Sequence, residues 1–174
     1  MIRKATDKDI EDITAIYDQI LGMEEQGLAH IGWQRGVYPT RDTALTALRR
    51  GDLFVSEEDG QLVAAAIINH TQMDSYAKGN WSVEATGDKV MVLHTLVVAP
   101  GQQGKGCGRR FVAFYEQYAL EHGCADLRMD TQEQNTAARA LYHSLGYEEV
   151  GIVPCDFNGI AGISLVLLEK AVRP

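Results

Sequence analysis

Apolar positions along the chain recur with two periods, and the switches between them outline the elements. Ile10, Ile13, Ile16, Tyr17 and Ile20 stand three and four residues apart, which predicts a helix capped by Thr6 or Asp7. Ala44, Leu45 and Leu48 mark a second helix between a Thr40 cap and a Gly51 stop. Phe111, Phe114, Tyr115 and Tyr118 mark a third, and a fourth is read over 136–145. β-branched and alternating runs predict strands over 2–5, 53–56, 62–69, 90–98, 126–129, 147–153 and 163–169. Glu57-Glu58-Asp59-Gly60 joins the second and third of these as a hairpin. Segments 24–39 and 74–89 show no clear period and read as loops. The resulting order, β-α-α-β-β-β-α-β-α-β-β, belongs to an α/β (α+β) protein, and its 174 residues suit one domain spanning 1–174.

Composition narrows the class without choosing a chemistry. Hydrophobic content of 45% and charged content of 23% are those of a globular chain. No run approaches the ~20 apolar residues of a membrane span, and the first seven residues do not form a signal peptide. A net charge of -8 argues against nucleic acid as a partner. Cys107, Cys124 and Cys155 are odd in number and lack Cys-x-x-Cys spacing, so a reducing cytoplasmic location is expected. The five histidines have no metal-ligand spacing with them, and no metal is expected.

One segment adds chemistry. Gln103-Gly104-Lys105-Gly106-Cys107-Gly108-Arg109-Arg110 lies between the strand at 90–98 and the third helix. A strand, a glycine-rich turn and a helix N-terminus make an anion site, because the first amides of a helix lack internal partners and sit at its positive dipole end. A Walker A loop is excluded, since Gly106 follows Lys105 where Ser or Thr would hold magnesium. A dinucleotide fingerprint is one residue out of step, although Asp126 and Asp130 lie near the distance of a ribose-binding acid. The spacing that does match is Gln-x-x-Gly-x-Gly, at Gln103, Gly106 and Gly108.

With that loop, and with Asn135-x-x-Ala138-x-x-Leu141-Tyr142 ending in Leu145-Gly146-Tyr147, the chain resembles the GNAT superfamily of N-acetyltransferases between about Val90 and Tyr147. The resemblance implies a mixed, mostly antiparallel sheet of about seven strands flanked by about four helices. It also implies acetyl-coenzyme A as cosubstrate, its pyrophosphate on Gln103, Gly104, Lys105, Gly106, Cys107, Gly108 and Arg109. The pantetheine arm would lie along Leu96, Val97 and Val98 and near Asn135 and Ala138, with the Val98 amide facing the developing oxyanion. Transfer would be direct, in a ternary complex, to the primary amine of a small or amino-acid-like molecule. A protein or peptide N-acetyltransferase and a non-catalytic coenzyme A sensor are the alternatives.

Tyr142 is the expected general acid, since a phenol with pKa ~10 keeps its proton at neutral pH and can pass it to a thiolate near 8.5. The rival reading packs its ring in the core. His94 is the expected base, placed by a two-residue period on one face with Val92, Leu96 and Val98; a structural histidine is the rival, and Glu84 a second candidate. Asn135 either meets the pantetheine or simply caps its helix. Cys107 reads as a small residue facing the protein. The acceptor wall is expected from His30, Trp33 and Tyr38, with Arg35 beside them, and Glu24 and Glu25 are candidates to attract a cationic amine. Pairing of two copies through 163–168 is considered by analogy.

Overall fold

The computed structural model describes residues 1–172. Seven strands form one sheet: β1 (Ile2–Lys4), β2 (Leu53–Glu58), β3 (Gln61–Asn69), β4 (Val90–Val98), β5 (Asp126–Gln132), β6 (Glu148–Phe157) and β7 (Ile160–Ala171). Their spatial order is β1-β2-β3-β4-β5-β7-β6. Neighbours are antiparallel except β4 and β5, which run parallel because the helix α3 (Cys107–Glu121) returns the chain between them. Helices α1 (Ile10–Glu25) and α2 (Arg41–Arg50) cover one face through Ile13, Ile16, Ala44 and Ala47, packed on Val55, Ala65 and Ile67. The opposite face buries Phe111, Val112 and Tyr115 of α3 and Tyr142 of α4 (Thr136–Ser144) against Met91, Leu93, Leu127 and Met129.

Local signals set the helix ends. Thr40 accepts the Thr43 amide at 3.3 Å and Gly51 closes α2 at φ 78°. Thr6 donates its amide to Asp9 at 2.7 Å, but a 3-10 turn over Asp7–Asp9 intervenes and α1 begins only at Ile10. Strands β6 and β7 run closer together than the sequence reading has them, joined at Asn158 (φ 48°) and Gly159 (φ 86°). Positive φ at both central residues is the two-residue hairpin that Asn-Gly favours, a signal present in the sequence and not used above. Over 165–168 β7 is hydrogen-bonded on both sides, to β5 and β6, so that stretch offers no free strand edge to a second copy; the open edges among the described residues are β1 and β6.

A bulge corrects the face assigned to His94. Ile67 pairs with His94 and Ala65 with Val97, so β4 carries one residue more than β3 there, and Thr95 takes up the offset at φ 51°. The alternation therefore changes phase at Thr95. His94 keeps the side of Ile67 and Val92, whereas Leu96 and Val98 pack into the opposite layer with Met91 and Leu93.

Segment 74–89 is more ordered than its composition suggests. Buried Arg128 donates to Asp126 at 2.6 Å, to Gln72 at 2.8 Å and to the Val83 carbonyl at 3.2 Å, and stacks 4.0 Å from the Trp81 ring. Glu169 accepts from the Ser82 amide and hydroxyl and from the Val83 amide. Burial pushes Asp126 up to about 6 against the pull of Arg128. Arg128→Leu leaves that carboxyl uncompensated and is expected to cost about 3–5 kcal/mol of stability near pH 8. Because the folded-state pKa of Asp126 is raised, protonation relieves the penalty, so the loss measured by urea unfolding should shrink at pH 5.

Candidate active site

Pairing between β4 and β5 ends at Leu93 and Met129. Beyond that point Thr95 bends β4 away, and the gap opens into a cleft of about 680 Å³ running from the glycine-rich loop to segment 28–38 and the tip of the β6–β7 hairpin. Ala99 donates its amide to Val63 at 2.9 Å on the β3 side. The amide of Val98, one residue earlier, therefore points the other way, into the gap.

The glycine-rich loop has the character its sequence predicts. Gly104 (φ 77°) and Gly106 (φ 80°) occupy the left-handed region, and Gly106 caps α3. Among the described residues, the amides of Gly104, Gly106, Cys107, Gly108 and Arg109 donate to no protein group, so five N–H donors converge at a helix N-terminus. A Cβ on Gly108 would stand 3.2 Å from Leu141, which shows how closely α3 and α4 approach. Arg110 braces the turn by donating to the Lys105 carbonyl at 2.9 Å and pairing with Glu58. Arg109 is exposed and donates to Ser144, and Lys105 donates to Gln102. The Cys107 side chain is buried, with its thiol near Arg110 and Glu58. The donors and the open strand fit a pyrophosphate followed by an extended amide-bearing arm.

On the far wall, Asn135 caps α4 by accepting the Ala138 amide at 3.2 Å, and its amino group has no partner among the described residues. Tyr142, seven residues and two turns further along the same face of α4, lines the cleft. Its ring packs 6.1 Å from Tyr147, but its hydroxyl has no hydrogen bond among the described residues and is not sealed off. Burial and the charge of Asp130 raise its pKa, so the phenol stays protonated.

His94 lines the same cleft. Its orientation is fixed by a relay: Asn69 donates to Asp52 at 2.8 Å, accepts the Thr71 amide at 2.8 Å, and accepts His94 Nε2–H at 3.0 Å. That assignment leaves Nδ1 as the acceptor, and burial pulls the imidazole down to about 4. Across the gap, at the first β5 residue beyond the pairing with β4, stands Asp130. The hydroxyl of buried Tyr76 donates to its Oδ2 at 2.7 Å, Oδ1 has no partner among the described residues, and burial raises the carboxyl to about 6. Glu84 is not in the cleft; it borders a separate depression with Trp81 and Arg128.

His30, Trp33 and Tyr38 all reach the cleft. Trp33 and Tyr38 meet edge-on at 5.8 Å, and Tyr38 meets Phe157 at 5.4 Å. The Tyr38 hydroxyl bonds to Thr95, tying this wall to the bulge. Arg35 does not join them: it pairs with Asp18 and Glu25 outside the cleft. Glu24 accepts the amides of Ile31 at 2.7 Å and Gly32 at 3.0 Å, so both glutamates hold the loop and neither is free for a substrate amine.

The sequence signature of the Acetyltransferase (GNAT) family matches residues 16–147. The chain belongs to that family. Among relatives of this GNAT protein is an uncharacterized N-acetyltransferase of Bacillus subtilis, 28% identical over 97 residues, a match spanning 56% of this chain and 58% of the relative. An aminoglycoside N(6')-acetyltransferase type 1 of Salmonella typhimurium is 26% identical over 98 residues, 55% of this chain and 61% of the relative. The matches thus span about three-fifths of those relatives. An acetyltransferase structure from Salmonella typhimurium, solved with its cofactor acetyl-CoA, shares the fold at TM-score 0.70 and 23% identity over 100% of this chain and 94% of that one.

Sequence reading gave Asp130 no catalytic place and passed over Tyr76 and Phe157. Asp130 sits in a run whose neighbours Leu127 and Met129 are core, and only the ending of the β4–β5 ladder exposes it. Phe157 was within reach of the Asn158-Gly159 signal, which places it at a hairpin tip.

Proposed function

We propose that the protein transfers the acetyl group of acetyl-CoA to the primary amine of a small molecule, with Asp130 as base and Tyr142 as acid. The observation that carries this reading is that a half-buried carboxylate, Asp130, and an unbonded phenol, Tyr142, line one cleft together with a loop of free amides. The loop and the splayed end of β4 hold the cosubstrate, and the Val98 amide stabilises the thioester oxygen as it gains charge. The bound ammonium first loses one proton to solvent; as the neutral nitrogen then bonds to the carbonyl carbon, its next proton becomes acidic and passes to Asp130. The C–S bond breaks, and the sulfur takes the Tyr142 proton. The products are the N-acetyl amide and the free thiol; proton return through solvent resets the two side chains.

His94, expected above as base, takes a different place in this reading. A group pulled down to about 4 is a weaker proton acceptor near neutrality than one raised to about 6, since efficiency follows how closely the pKa matches the working pH. With Nε2–H held by Asn69, His94 presents Nδ1 to orient water or the amine. Acetyl-CoA-dependent thiol release with an amine acceptor, and mass detection of the N-acetyl product, tests the reaction. Tyr142→Phe is expected to lower kcat by about 10²-fold with acetyl-CoA affinity unchanged. An unaltered kcat would remove Tyr142 as the acid.

A further inference from the structure

The cleft's charge inventory is unusually short for a site that must admit an ammonium ion. Among the described residues that line it, Asp130 is the sole carboxylate, and Arg109, on the phosphate side and tied to Ser144, is the sole Lys or Arg. The acids at the C-terminal end of α1 are spent: Glu24 on loop amides, Asp18 and Glu25 on Arg35. What remains around Asp130 on the acceptor side is aromatic and aliphatic surface with uncharged polar groups, Gln132 and Asn158, and the histidines His30 and His94 between them. Trp33, Tyr38 and Phe157 form a continuous edge-to-face wall, and Ile163 and Leu165 of β7 supply aliphatic surface.

We infer that the acceptor is a primary monoamine with an apolar, aromatic-sized body and no carboxylate. The inference rests on Asp130 being the group that receives the amine. One buried carboxylate compensates one ammonium, and the ring faces add a weaker attraction for the same charge. A polyamine or aminoglycoside would bring further ammonium groups against this wall with no acid to meet them, each desolvated without a compensating charge. A free amino acid would place its carboxylate a few ångströms from Asp130 with no Lys or Arg on that side, so repulsion and desolvation both oppose it. The apolar body instead gains burial along the aromatic wall.

The test compares ligands that share a body and differ in charge. 2-Phenylethylamine, phenylalanine, spermidine and a hexapeptide with a free N-terminal phenylalanine are titrated calorimetrically into the full chain saturated with coenzyme A, which cannot acetylate them. The same four are then assayed for acetylation with acetyl-CoA. 2-Phenylethylamine is expected to bind at least 100-fold more tightly than phenylalanine or spermidine and to lead in kcat/KM by a similar factor. Equal or tighter binding of phenylalanine or spermidine overturns the inference, as does failure of 2-phenylethylamine to bind. Tighter binding of the hexapeptide overturns it in favour of a peptide substrate. If the expected binding order appears without any acetylation, the acceptor class stands and the transferase reading falls.

Discussion

Asp130→Asn is expected to lower kcat by about 10³-fold while acetyl-CoA binds as before. The substitution changes almost nothing but the ability to take a proton. An asparagine fills the same volume, and its side-chain oxygen can still accept from Tyr76, which now bonds Oδ2 at 2.7 Å. The carboxylate has no contact with the glycine-rich loop, so cosubstrate affinity is a separate readout. Its titration supplies a second signature. Burial raises Asp130 to about 6, so it is ionised above that pH and protonated below it. In the parent protein kcat/KM should therefore fall as pH drops through about 6, and the residual activity of the variant should lack that limb. His94, pulled down to about 4, titrates too low to produce it. A parent profile that is flat to pH 5, or a variant retaining a tenth of parental kcat, would show that Asp130 is not the base.

Gly106→Glu should abolish measurable acetyl-CoA binding, a loss of more than about 10²-fold, for three additive reasons. At φ 80° a non-glycine residue costs about 1–2 kcal/mol in the left-handed region. Its Cβ would meet the Arg110 guanidinium at 3.2 Å, disturbing the group that braces the loop through Glu58 and the Lys105 carbonyl. A carboxylate would also stand among the five free amides and compete for them with the phosphates. Gly106→Ala carries the first two penalties without the charge and should retain weakened binding, about tenfold down. Loss in the glutamate variant with retention in the alanine one isolates the anion site. Equal, undiminished affinity in both would place the cosubstrate elsewhere.

The sequence discloses this protein unevenly, for physical reasons. Helices α1 to α4 and the core strands announce themselves because burial enforces their periods, and the phosphate loop because only glycine serves positions such as 104 and 106. Tyr142, the proposed acid, is legible through its register with Asn135. The proposed base is not, because what makes Asp130 available is where the β4–β5 ladder stops, a property of two strands far apart in sequence. The bulge at Thr95 is equally hidden. A threonine with positive φ carries no sequence signal, yet it reverses which side of β4 Leu96 and Val98 occupy relative to His94. Segment 74–89 looks like loose polar chain until Arg128 and Glu169 fasten it and deliver Tyr76 to Asp130. Arg35, Glu24 and Glu25 mislead in the opposite sense: their charges suggest substrate contact, and their partners turn out to lie within the fold.

The most direct test of the central claim is steady-state acetyl transfer from acetyl-CoA to 2-phenylethylamine across pH 5 to 9, with thiol and N-acetyl product measured together. The expected result is one N-acetyl amide per thiol, with kcat/KM rising through pH about 6 in the parent and no such rise in Asp130→Asn. Thiol release without the amide, or an identical profile in both proteins, would contradict it.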